Sequence, residues 1–555
     1  MSRVLVIGLD AATLDLVEPW ATAGKLPLFA QLMREGAYGT LWSTVPAISP
    51  PAWTSIITGQ NPGKHGIFDF VRRQPGTYHL QSVRSDFTRY RTVFDLLSAY
   101  GKRVAAINIP MTYPPSPVNG IMISGLGAPA GSGRFTHPPH LRDELLAQGY
   151  HLMQFEDEYV PGQDAAYEAN LIQVTQELGR LSVDLLKREN WDLFFVVFRG
   201  VDEAQSFLWH HLDPAHPKHD AVLAQRFGDS ILRVYQATEK VVQSLLEAAG
   251  DDIAVLIVSD HGGGPLVGEV YLNTWLCQQG WMVLRQPGAV GKTYRNLMQR
   301  AGLTRDALSR RLASPLALKL RQKMPLNLQH ALLPSSTPTL AEAVDWTQTQ
   351  VYSFGCIGQI YVNLQGREPM GIVEPGKEYE ELIAQVTQAL YQLTDLRDGA
   401  KVVDRVYKSE ELYHGPYEKF GADLNVVMRN MGYITHLRHE LGGAQVFGPI
   451  TTNESGTHRP NGLFIANGKE IESGTRGFDA QVVDVMPTIM SIMGIPLPDD
   501  LDGRVLHEAV HSKHAPEMAL PKIGALPERP VATDWESQED EQAVMERLKQ
   551  LGYLE

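Results

Sequence analysis

An α/β fold on a mostly parallel sheet, with helices on both faces, follows from three features of the 555-residue sequence. Short apolar runs such as Val4–Ile7, Phe194–Phe198 and Ile253–Val258 lack polar alternation, as strands buried on both faces do. Over the first 270 residues such runs alternate with helical patterns, the rhythm of a covered parallel sheet. Acid- or His-bearing phrases stand directly behind three of the runs, where open α/β sheets place their sites.

The elements follow in order. Val4–Ile7 is a strand, the region of Pro27–Gly36 a helix, and Arg103–Ile109 a further strand. Asp184–Leu186 lies in a helical stretch, and Ser230–Ala249 is a helix closed by Gly250. From about 271 to 345 the rhythm breaks. Between Lys292 and Lys323 there are nine basic residues and one acid, Asp306, with Leu297, Leu308, Leu312, Leu316 and Leu320 at amphipathic spacing. This segment reads either as a solvated helical face or as a basic cap for an anionic substrate or surface. A second α/β stretch follows: strand Gln359–Asn363, helix Lys377–Leu393, strands Lys401–Tyr407 and Asp423–Met428. The core resumes with strand Gly462–Ala466 and helix Val482–Met493, stopped by Gly494. A loose stretch, Ser512–Arg529, leads to a helix, Gln538–Leu551, with Ser537 as its cap. The expected organisation is a core over 1–270, a basic helical cap insertion over 271–345, an α/β insertion over 346–440, the second part of the core over 441–510 and an extension over 511–555.

Composition bounds the function. The formal net charge of −14 argues against general nucleic-acid binding but not against a phosphate substrate, since metal charge dominates locally. Two cysteines, Cys277 and Cys356, allow no disulfide framework and no thiolate zinc cluster, and both read as small core residues. Met1-Ser2-Arg3 runs straight into the first strand without a signal peptide, and no stretch nears the ~20 apolar residues of a membrane span. The expectation is a cytoplasmic protein.

Five phrases carry the chemistry. Gly8-Leu9-Asp10, Gly200-Val201-Asp202 and Ser259-Asp260-His261-Gly262 follow buried strands, and Gly456-Thr457-His458 comes late in the chain. The fifth is Ile48-Ser49-Pro50-Pro51-Ala52-Trp53-Thr54-Ser55-Ile56-Ile57-Thr58-Gly59, rich in hydroxyls. Carboxylates and imidazoles gathered at strand ends with a hydroxyl among them suit a divalent metal and a nucleophile beside it. Trp42, Trp53 and Trp209 lie near these phrases, either to stack on a base or to fill the core.

These motifs resemble the alkaline phosphatase superfamily, most closely its type I phosphodiesterase/nucleotide pyrophosphatase branch, from Asp10 to about Leu506. The resemblance implies an alkaline-phosphatase-like three-layer α/β/α sandwich with an inserted cap subdomain. It implies two divalent metal ions, with Zn²⁺ favoured by mixed N/O ligands and Mn²⁺ the other candidate. One ion would be held by Asp10, Ser49, Asp260 and His261. The other would be held by Asp202 and His458 with a His one helical turn after Asp202, where this chain has Ser206. Ser206 itself, water or Glu203 would complete that second set, because His210 lies about 12 Å along the helix. Ser49 would be the nucleophile, forming a covalent phospho-enzyme. Pro62-Gly63-Lys64-His65-Gly66-Ile67 matches a further phrase of the family, with His65 read as a turn residue. The family's Asn after that phrase is absent: Phe68-Asp69-Phe70 is followed by Arg72 and Arg73. The implied substrate is a small phosphorylated molecule such as a nucleotide. A phosphomutase and a weakened metal-binding scaffold are the alternatives. A sulfatase is disfavoured by Trp53, which stands where an Arg belongs.

Overall fold

The computed structural model describes residues 2–88, 90–129, 134–148, 159–285, 339–435, 445–511 and 537–550, with Tyr150, Ala532 and Trp535. The basic segment 292–323 and the stretch 512–529 lie outside them.

A nine-stranded sheet organises the molecule, in the order Arg476–Gln481, Ala37–Trp42, Asn461–Asn467, Ile253–Val258, Arg3–Leu9, Leu193–Phe198, Val104–Ile109, Gly120–Ser124, Thr136–His137. Arg3–Leu9 pairs in parallel with both neighbours, and Leu193–Phe198 with Val104–Ile109. Asn461–Asn467 runs antiparallel between Ile253–Val258 and Ala37–Trp42. The sheet is thus mostly parallel, as the unalternating apolar runs require.

Successive side chains of the first strand enter opposite cores. Leu5, Ile7 and Leu9 pack with residues of the helices Asp164–Arg188, Gly200–Leu212 and Ser230–Ala249. Val4 and Val6 face residues of Ser49–Thr58, Val93–Ala99 and Val485–Ile492. Helices on both faces make the three layers. The helix Ser230–Ala249 ends at Gly250 as expected, and Lys377–Leu390 stops three residues short of expectation.

A separate antiparallel sheet, ordered Val351–Ser353, Gln359–Val362, Leu424–Met428, Val403–Lys408, has its own core, which Val270, Leu272, Trp275 and Leu276 also enter. Cys277 and Cys356 are free and half-buried against apolar clusters rather than fully buried. The last helix, Gln538–Gln550, is capped by Ser537, whose hydroxyl accepts from the Asp540 amide at 3.3 Å. Among the described residues no helix is long and apolar enough to cross a membrane.

Candidate metal and nucleophile site

The carboxyl ends of the central parallel strands converge on Asp10, Asp260 and His261, each fully buried. Asp10 follows Arg3–Leu9, and Asp260 and His261 follow Ile253–Val258 two positions across the sheet-end turn. Ser259 fastens this turn, donating to the Ala12 carbonyl at 2.7 Å and accepting from the Leu463 amide at 2.8 Å. Gly262–Pro265 then pairs antiparallel with Gly456–Arg459, placing Gly263 opposite His458. A glycine is needed at 456, where a Cβ would lie 2.1 Å from the Gln205 carbonyl oxygen. This ladder sets the His458 ring against His261, with centroids 3.9 Å apart and planes 18° from parallel.

Ser49 opens the helix Ser49–Thr58. Its hydroxyl lies 3.3 Å from His261 Nε2 and 3.5 Å from Asp10 Oδ1. Trp53, one turn on, donates from Nε1 to Asp10 Oδ2 at 3.3 Å. Its indole passes so close to Gly8 that a Cβ there would sit 2.5 Å from Trp53 Cη2. Trp53 and Trp209 are therefore core residues, and Trp42 is held by Asp479 at 2.8 Å. Asp202 comes from the first turn of Gly200–Leu212, with Oδ1 3.9 Å from His458 Nε2.

Two triplets of ligand atoms result, each within 4.8 Å: Asp10, Asp260 and His261, and Asp202, His261 and His458. All six expected site residues meet here, but His261 belongs to both triplets. Both imidazoles are oriented as ligands. His261 Nδ1 faces the Gly262 carbonyl at 3.0 Å and His458 Nδ1 the Ala47 carbonyl at 3.0 Å. A carbonyl only accepts, so each Nδ1 carries the proton and each Nε2 turns a lone pair into the site.

The electrostatics suit a cation. Burial, then the charge of Asp260, pushes the Asp10 carboxyl up to about 7. Burial, then Asp10, does the same to Asp202, and burial, then Asp202, to Asp260, each to about 7. Asp260 Oδ2 is buried and accepts no hydrogen bond. Burial, followed by His261, drives the His458 imidazole well below its ordinary value, keeping it neutral. Buried, mutually repelling carboxylates beside imidazoles whose Nε2 atoms face inward fit a divalent metal.

Of the residues expected to complete the second set, Glu203 lies outside the triplet of ligand atoms. The Ser206 carbonyl accepts from the Ser455 amide at 2.7 Å, and no His, Cys, Asp or Glu of this helix beyond Asp202 joins the set among the described residues. Glu203 turns away, accepting from Tyr167 at 3.0 Å and from Arg199 at 3.0 Å. His210 joins a different cluster, with Asp164 and His211. Arg199 is a site residue that sequence reasoning passed over. Its guanidinium lies 3.6 Å from Asp10 and 3.7 Å from Asp202, with 3 % of the residue exposed. A basic residue directly behind the apolar run Phe194–Phe198 was the available signal.

The remaining family phrase is structural. His65 Nδ1 accepts from the Ile67 amide, so Nε2 donates to Ser55 at 3.0 Å, and burial holds the ring neutral. Arg73 pairs with Glu368 at 2.8 Å, and the Arg72 guanidinium lies 3.7 Å over the Phe87 ring, so neither points to a phosphate role.

The model of the family described as type I phosphodiesterase/nucleotide pyrophosphatase matches residues 4–330. No curated protein matches the chain. Among solved structures, murine ectonucleotide pyrophosphatase/phosphodiesterase 5, an inactive form in complex with AMP, is 12 % identical. It covers 90 % of this chain and 96 % of its own, with a TM-score of 0.46. Phosphonoacetate hydrolase from Sinorhizobium meliloti, in complex with phosphonoformate, is 15 % identical over 89 % of this chain and 96 % of its own, with a TM-score of 0.49. The human ectonucleotide pyrophosphatase/phosphodiesterase 5 is 13 % identical, covering 89 % and 96 %, with a TM-score of 0.46.

Proposed function

Since the chain belongs to the type I phosphodiesterase/nucleotide pyrophosphatase family, and is thus a phosphoric-ester hydrolase, we propose that it cleaves a small phosphate ester by attack of Ser49. The observation that carries the reading is the placement of Ser49 Oγ among three buried carboxylates and two inward-facing imidazole nitrogens.

Asp10, Asp260 and His261 would hold a divalent metal, Zn²⁺ by ligand type with Mn²⁺ as the alternative. When bound, the ion supplies the positive charge that makes a neighbouring hydroxyl more acidic and neutralises phosphoryl oxygens. The rest falls to the chain. The helix start at Ser49 holds Oγ for attack, and Trp53 keeps Asp10 turned inward. The Oγ–phosphorus bond forms as the bond from phosphorus to the leaving oxygen breaks, and the hydroxyl proton balances the leaving group. Water then cleaves the phospho-Ser49 ester and returns the free hydroxyl.

The second cation is the point where this chain departs from its family's pattern. Asp202 and His458 share His261 with the first triplet, and Arg199 already places a fixed positive charge within 3.7 Å of Asp202. We infer one tightly held metal, with a second ion bound more weakly. A nucleotide is the substrate class to try first, since the family is described as type I phosphodiesterase/nucleotide pyrophosphatase.

The test is metal content of protein purified without chelator, alongside hydrolysis of an aryl phosphodiester and of a dinucleoside pyrophosphate. Turnover that Ser49→Ala abolishes while metal content stays unchanged supports the reading. Turnover that persists in Ser49→Ala, or no turnover with Zn²⁺ or Mn²⁺ added, sinks it.

A further inference from the structure

Two helices meet away from this site at a second group of metal-ligating side chains. Asp164 opens the helix Asp164–Arg188, while His210 and His211 lie in the last turn of Gly200–Leu212. One ligand atom from each lies within 4.8 Å of the others. Asp164 is 4 % and His211 2 % exposed; His210 is half-buried.

The hydrogen bonds assign the protons. Although burial raises it, the Asp164 carboxyl is held below its ordinary value by hydrogen bonds from His211 and Tyr159. It is therefore an ionised acceptor, with His211 Nε2 at 2.8 Å and the Tyr159 hydroxyl at 2.8 Å on the same oxygen. His211 donates from Nε2, which leaves its Nδ1 as a lone pair. That Nδ1 is buried with no hydrogen-bond partner, and so is His210 Nδ1. The two rings lie 3.9 Å apart. A buried nitrogen left without a partner is unfavourable, and here two such nitrogens belong to neighbouring rings. Burial, followed by the neighbouring His211, pushes the His210 imidazole down to about 4, so it is neutral at physiological pH.

We propose that Asp164, His210 and His211 form a structural divalent-metal site, distinct from the Asp10–Asp260–His261 triplet and selective for a borderline ion such as Zn²⁺ over Mg²⁺ or Ca²⁺. Imidazole nitrogens set the preference, because the hard cations favour all-oxygen ligands. A cation between Asp164 and His211 would take the place of the proton they now share, which moves to His211 Nδ1, so that an Asp164 oxygen, His211 Nε2 and His210 Nδ1 are the ligand atoms. At metal–nitrogen distances of about 2.0–2.1 Å, tetrahedral ligands stand roughly 3.4 Å apart, so the 2.8 Å contact between Asp164 and His211 would open slightly on binding. His216 stays outside: its Nδ1 accepts from the Lys218 amide at 3.0 Å, which puts the proton on Nε2. The bound ion would pin the start of one helix to the end of the helix that carries Asp202.

The test compares zinc per chain in the full-length protein, in His210→Gln, in Asp260→Asn/His458→Gln, and in the combination of all three changes. Each protein is stripped and then dialysed against Zn²⁺. His210→Gln is expected to bind one zinc fewer than the parent and to keep its hydrolytic rate at saturating metal. Asp260→Asn/His458→Gln is expected to retain a zinc that disappears in the triple variant. The outcome is a difference between variants, so it does not depend on whether Ser49 is a nucleophile. As a second readout, Co²⁺ added to Asp260→Asn/His458→Gln should give a visible absorption band without any change at His210. Equal zinc in the parent and in His210→Gln, or no Co²⁺ band, overturns the proposal and leaves Asp164–His211 as a simple hydrogen-bonded helix start.

Discussion

Metal-dependent stabilisation should rise steeply with pH, and its slope measures the carboxylates of the candidate site. Without a cation, Asp10, Asp202 and Asp260 each sit near 7, against an ordinary value of 3.8. Their folded values lie above the unfolded one. Between about pH 4 and 7 the folded chain holds protons that the unfolded chain has released, so these groups lower stability as pH rises through that window. One group shifted by about three units is worth about 4 kcal/mol, and because the three repel one another they titrate as a set rather than additively. A divalent ion displaces those protons. Each proton displaced adds about 1.4 kcal/mol per pH unit to the stabilisation by metal. The slope should thus be at least ~1.4 and at most ~4 kcal/mol per pH unit below pH 7, and flatten above it. Buried neutral His65 acts in the opposite sense, but equally with and without metal, so it cancels in the difference. The assay is calorimetric melting in chelator and in excess Mn²⁺ at half-unit steps from pH 5.5 to 8, on the parent and on Asp260→Asn. A metal-induced increment that stays level between pH 5.5 and 7 would refute the argument, as would an unchanged slope in Asp260→Asn.

Other perturbations test separate parts of the site. Gly8→Ala drives a methyl to 2.5 Å from the Trp53 ring; we expect a loss of about 1–3 kcal/mol and a fall in kcat with metal content retained, read by melting and rate assays. Arg199→Met strips a partner from buried Glu203 and should cost about 3 kcal/mol in denaturant unfolding, partly recovered by adding Glu203→Gln. Ser206→His sets an imidazole one helical turn from Asp202, and elemental analysis should then find the catalytic site holding two tightly bound ions.

How much of this was legible depends on the reach of the determining contacts. Strand runs such as Phe194–Phe198 declare themselves because burial on both faces removes every polar residue, and the structure buries all five. Asp10 and Asp260-His261 were legible for the same reason: the phrase behind a central strand has one place to go. Arg199 stood in an equivalent position and was overlooked, since a lone arginine carries no ligand chemistry of its own. That His261 belongs to the set of Asp202 and His458 as well as to that of Asp10 and Asp260 was not legible. It depends on the ladder that pairs Gly263 with His458, almost two hundred residues apart in sequence. Asp164 beside His210 and His211 was hidden likewise, because only the packing of two helices joins them.

Pro50 and Pro51 discriminate between two ways of holding a phosphate. A helix start ordinarily offers several free amides to an anion, together with its dipole. Here the second and third positions of Ser49–Thr58 have no N–H, and the Ala52 amide is taken by the Ile48 carbonyl at 3.2 Å. Only the Ser49 amide remains at the first turn, too little to neutralise a phosphoryl group by itself. On the proposed reading the compensating charge comes from the other wall, from Arg199 and from a cation held by the acids. The same sequence phrase that presents the hydroxyl therefore leaves little backbone N–H at this helix start to hold a phosphoryl group.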